Sequence, residues 1–139
     1  MTDFLSSLIE QNPVPSENSN VKVSIETNYI PEHSNELEKR YVFSYTITIT
    51  NNTEESVKLL TRYWLITDAN KDTSTVAGEG VIGKQPVIPP SKSFVYTSGC
   101  VLKTPVGTMQ GHYQMLTEHN KNIQVEIPVF RLALPNILN

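Results

Sequence analysis

The chain has 139 residues, enough for one domain with its own core and too few for two of ordinary size. A net charge of −3 argues against a dedicated nucleic-acid surface, because neutralising phosphates takes a basic stripe. The single cysteine, Cys100, excludes an internal disulfide framework and fits a reducing, cytoplasmic compartment.

Fourteen threonines favour strands, while twelve serines, twelve asparagines and nine prolines favour turns, so the composition leans towards an all-β fold. There is no apolar run of about 18 residues. The N-terminus also lacks a basic stretch leading into an apolar one, so neither membrane insertion nor secretion is expected.

Residues 1–20 divide in two. Phe4, Leu5, Leu8 and Ile9 fall on one face of a short helix, and "NPVPSENSN" then stops any helix with two prolines. The segment is expected to be peripheral to a domain spanning residues 21–139. Its apolar face makes a second copy of the chain a candidate partner.

From Val21 the period becomes two. Val21, Val23 and Ile25 alternate with Lys22, Ser24 and Glu26, and the polar stretch 31–39 reads as a loop. In "YVFSYTITITN" Tyr41, Phe43, Tyr45, Ile47 and Ile49 point one way and Val42, Ser44, Thr46, Thr48 and Thr50 the other, as a strand between core and solvent requires. "NNTEES" turns the chain into "VKLLTRYWLITD". Strict alternation there groups Leu60, Arg62 and Trp64 on one face and Leu59, Thr61, Tyr63 and Leu65 on the other. Trp64 is expected in the core, with the Arg62 guanidinium at its edge, reaching outward or pairing with a carboxylate. Further strands are predicted at 73–77, 80–83, 93–98, 107–117 and 122–132. About eight short strands separated by turns predict a single antiparallel β-sandwich, fibronectin-III-like or immunoglobulin-like.

"VAGEGVIGKQP" carries G-x-G-x-x-G at Gly78, Gly80 and Gly83. A dinucleotide-binding loop must open a helix, whose N-terminus holds the pyrophosphate. Pro86, Pro89 and Pro90 forbid that helix. Two readings stay open: glycines that permit positive φ, a bulge or a close approach of backbones, or an amide nest that grips an anion with help from Lys84.

Other chemistry is sparse. A thiolate–imidazole pair of Cys100 and His112 would make a nucleophile, but a lone cysteine in a strand is more often a small core residue. His33, His112 and His119 lack metal-ligand spacing. Asp68, Asn70, Asp72 and Glu79 match positions of an EF-hand loop, yet Thr73 stands where that loop needs glycine and the flanks read as strands. No metal, no cofactor and no catalytic constellation are expected.

"YVFSYTITITN", "LLTRYWLITDAN", "VAGEGVIGKQPVIPP", "FVYTSGCVLKTPVGTMQGHYQM" and "VEIPVFRLALP" occur in the order and spacing of the ApaG family, which the chain resembles over about residues 21–139. The sequence departs from the usual pattern at Ser91, where glycine is common, and at Lys84, where an acidic residue is frequent. The resemblance implies a small cytoplasmic sandwich, linked genetically to cobalt tolerance and magnesium efflux, with related eukaryotic domains that look like interaction modules.

The expected function is therefore a non-catalytic binding or protein-interaction module with a protein partner. The competing expectation is an anion or nucleotide-pyrophosphate binder, with or without hydrolysis. Its site would be the loop Gly78–Lys84, using Gly78, Gly80, Gly83 and Lys84 together with Arg62.

Overall fold

The computed structural model describes residues 20–137, so the expectations for residues 1–19 lie outside the described residues. Eight strands run in chain order: β1 (Val21–Tyr29), β2 (Tyr41–Asn51), β3 (Val57–Asp68), β4 (Thr73–Glu79), β5 (Val87–Ile88), β6 (Ser93–Leu102), β7 (Val106–Thr117) and β8 (Asn122–Ala133). They form two sheets in a sandwich, one of order β1-β2-β6 and the other of order β4-β3-β7-β8 with β5 paired to the start of β3. Every pairing is antiparallel. No described helix is long and apolar enough to cross a membrane.

Period-two patterning explains most of this. In β2 the side chains of Phe43, Tyr45, Ile47, Ile49 and Asn51 are buried, and those between them are half-exposed. Burying each large aliphatic or aromatic side chain stabilises the fold by about 1.5–3 kcal/mol. Trp64 is 2% exposed and meets Tyr45 and Phe130 edge-on, with ring centroids 5.4 and 5.8 Å away. It ties both sheets together.

Two expectations are corrected. Strict alternation along β3 fails because the register with β7 shifts between Leu59 and Thr61. This bulge absorbs Leu60 as an extra residue, so Leu59 and Trp64 both reach the core although their numbers differ in parity. Residues 80–83, predicted as a strand, instead form a tight reversal. The Val81 amide donates to the Lys84 carbonyl (2.8 Å) and the Lys84 amide donates back to Val81 (2.9 Å). The central residues Ile82 and Gly83 both have positive φ, 43° and 76°, as a two-residue I′ turn demands.

One buried polar residue gave no sequence signal. Asn51 Nδ2 donates to the carbonyls of Glu55 and Ile88, while its Oδ1 accepts from the Thr53 amide and hydroxyl. It closes the β2–β3 turn and pins β5 beside it.

The two long margins of the sandwich differ. Along one, β1 packs against β8. Along the other, β6 and β4 are the terminal strands of their sheets, and a cleft runs between them.

Candidate functional site

The cleft has a volume of about 550 Å³. Its walls come from the inner face of β3 (Arg62, Trp64, Ile66), the β4 edge (Val76, Glu79), the 81–83 turn and, from β6, Tyr96 and Ser98 to Val101. Among the described residues Arg62 is its only basic lining residue.

Arg62 is held by the chain that the glycines bend. It pairs across the sheet with Gly78, and a Cβ there would lie 3.0 Å from Nη1, so the guanidinium rests where a side chain is missing. Nη1 donates to the carbonyls of Glu79 (3.1 Å) and Gly80 (3.0 Å). The partners are thus backbone oxygens, not the carboxylate considered from sequence. Nη1 donates both of its protons, and the three N–H groups on Nη2 and Nε have no partner among the described residues.

Gly80 and Gly83 serve backbone geometry. Gly80 has φ 67°, and a Cβ on it would strike the Lys84 carbonyl oxygen at 2.1 Å. The amides of Gly80, Val81 and Lys84 all donate to backbone carbonyls within the fold. Ile82 and Gly83 share one sign of φ, whereas an amide nest alternates its handedness. Those three amides are thus already engaged within the fold. Lys84 is exposed and does not line the cleft. Of the five residues singled out from sequence, Arg62 and Gly83 border the cleft, Gly78 makes room for Arg62, and Gly80 holds the turn.

Hydroxyls and a thiol complete the surface. Burial raises the Tyr45 phenol above its usual value, while a hydrogen bond with Ser98 and the Arg62 charge pull the other way. Tyr96 shares a buried 2.6 Å hydrogen bond with Tyr113, and burial pushes both phenols up. Burial also pushes the Cys100 thiol up to about 11, which keeps it protonated and a poor nucleophile near neutrality. Cys100 and His112 are not brought together: Cys100 borders the cleft in one sheet, and His112 stacks on Tyr63 across the other.

The acidic residues of the EF-hand-like pattern do not converge. Asp68 Oδ1 accepts the amides of Asn70 and Asp72 within the β3–β4 turn, and Glu79 ends β4 at the far end of that strand. Among the described residues no group of three or more His, Cys, Asp or Glu could hold a metal.

The matched family model, ApaG domain, covers residues 31–117. The chain belongs to the ApaG family. Protein ApaG of Proteus mirabilis is 50% identical over 121 residues, covering 87% of this chain and 97% of that one. Protein ApaG of Photobacterium profundum is 52% identical over 119 residues, covering 86% and 94%. The solved structure of an ApaA protein from Bordetella pertussis superposes with a TM-score of 0.83 at 40% identity, covering 90% of this chain and 100% of that one. The ApaG domain match takes in every residue that lines the cleft.

Proposed function

We propose that this protein is a non-catalytic binding module whose ligand presents an anionic group to Arg62 in the β4/β6 cleft. The observation that carries the reading is the guanidinium itself: it is half-buried, held in place by two backbone carbonyls, and still has three N–H groups to offer. An ion pair in such a position discriminates between ligands through the fixed geometry of its donors. A high-pKa thiol and the separation of Cys100 from His112 support a role without covalent chemistry. The three long strands facing four resemble immunoglobulin-like and fibronectin-type modules, which carry binding surfaces in many cytoplasmic and extracellular proteins. The link to cobalt and magnesium then belongs to whatever the module binds.

Pyrophosphate is the second reading, favoured by the same guanidinium and placed at Arg62, with the Gly78–Lys84 amides in no direct role. Amide NMR during titration with millimolar pyrophosphate, and separately with a blocked glutamate tripeptide, tests both. At least one probe is expected to shift the signals of Arg62, Gly78 and Ser98 to Cys100. Silence of these signals towards both probes overturns the site. Phosphate release from pyrophosphate or from a dinucleoside polyphosphate overturns the non-catalytic reading.

A further inference from the structure

We infer that the cleft takes an extended polypeptide segment, which adds to the sandwich as a fourth strand beside β6 and points a carboxylate side chain at Arg62. This rests on the cleft being the binding site and names the class of ligand.

The first argument is the mismatch between the sheets. Three strands, β1-β2-β6, face four, β4-β3-β7-β8. The surplus falls at β4, whose residues are exposed or, at Gly78, half-exposed. Val76 and Gly78 pair with Trp64 and Arg62 on one face of the sheet, and among the described residues the opposite sheet ends at β6 and leaves Val76 exposed. A strand beyond β6 would cover it.

The second argument is the character of β6. Among the described residues it hydrogen-bonds along one side only, to β2. Folded proteins protect long open edges with charges, prolines or bulges, and "SFVYTSGCVL" contains no charge and no proline and pairs with β2 without a register shift. Its outward residues Val95 and Val101 are 56% and 51% exposed. A ten-residue edge of this kind is a template for another strand, and peptide recognition by strand addition uses such edges.

Charge selects the occupant. A strand paired with β6 directs alternate side chains into the cleft, where Ser98 and Arg62 lie on opposite walls. A carboxylate placed opposite Ser98 meets the guanidinium, and residues three positions either side fall beside Val95 and Val101 on the outer face. Glu79 also lines the cleft without pairing with Arg62, and the chain carries a net charge of −3. Both features favour a single carboxylate over a polyanion such as pyrophosphate. A second copy pairing β6 to β6 is disfavoured on the same ground, since β6 has no carboxylate to bring.

The probe is a blocked heptapeptide of alternating valine and threonine with glutamate at its centre, followed by two lysines for solubility. It is titrated into the full, isotope-labelled chain. Binding is expected to slow hydrogen exchange at alternate β6 amides, those turned away from β2, and to shift Arg62 Nε. The glutamine version should bind about tenfold more weakly, the loss of one charge-assisted hydrogen bond. A version N-methylated at alternate positions along its pairing edge should not bind. Shifts confined to Arg62 with no slowing at β6 overturn strand addition and leave the anion site standing, as does a response to pyrophosphate but not to the peptide. Slow exchange at β6 in the peptide-free protein, together with concentration-dependent diffusion, assigns the edge to a second copy and also overturns the proposal. No response to either probe sinks both the strand and the site.

Discussion

The guanidinium of Arg62 lies over Gly78, its cross-strand partner, so closely that a methyl group there would stand 3.0 Å from Nη1 and 3.3 Å from Nη2. Gly78 is therefore a space filled by another residue's charge. Gly78 lies within a strand and its φ is not positive, so an added methyl needs only the end of a flexible side chain to move. Gly78→Ala should change the unfolding free energy by less than about 1 kcal/mol, as at tolerant sites. It should nonetheless displace Arg62, read from the Nε–H signal. A loss of several kcal/mol in urea titrations would show that Gly78 is needed for backbone reasons instead.

The other two glycines of the motif should separate sharply. Gly83 has φ 76° but open space around a would-be Cβ, so Gly83→Ala carries only the left-handed penalty of about 1 kcal/mol. Gly80→Ala adds a collision with the Lys84 carbonyl at 2.1 Å, and about 3 kcal/mol is expected. Equal losses for the two variants would contradict this geometry.

Ile82 is a β-branched residue at φ 43°, exposed at the tip of the turn. Such residues are strained in the left-handed region, and Asn-Gly is the preferred pair in this turn type. Ile82→Asn should raise stability by about 1 kcal/mol. Thermal or urea denaturation that shows no gain would place compensating contacts on the Ile82 side chain.

Trp64→Ala removes a ring that packs edge-on against both Tyr45 of one sheet and Phe130 of the other. The expected loss is about 3–5 kcal/mol, as for large buried aromatics. A variant whose denaturation midpoint matches the parent's would show that the ring does not hold the sheets together.

Two histidines should titrate in opposite directions from the ordinary 6.5. The Glu55 carboxylate, 2.7 Å from His119 Nδ1, holds its proton and raises its pKa. Burial lowers that of His112, against a smaller pull from Glu126. For His119 the folded state binds more protons than the unfolded one, so its contribution is present below 6.5 and lost as pH rises through the folded value. For His112 the unfolded state binds more, so stability falls as pH drops below 6.5 towards the folded value. Imidazole proton shifts against pH check both signs, and a shared midpoint would refute the two environments.

Period-two patterning in "YVFSYTITITN" was enough to set β2, its buried face and, with the other alternating stretches, the sandwich, because burial on one side of a strand is written directly in residue order. The glycine motif could be freed from a dinucleotide role by the prolines that follow it. Residue order could not decide the β3 bulge, since one extra residue at Leu60 is settled by pairing with β7. Nor could it place Arg62: which strand lies opposite, that Gly78 leaves room, and that two carbonyls turn towards Nη1 all depend on residues some sixteen to eighteen positions away. The cleft itself arises from unequal numbers of strands in facing sheets. That is a property of how strands are distributed between layers, and no single stretch of sequence contains it.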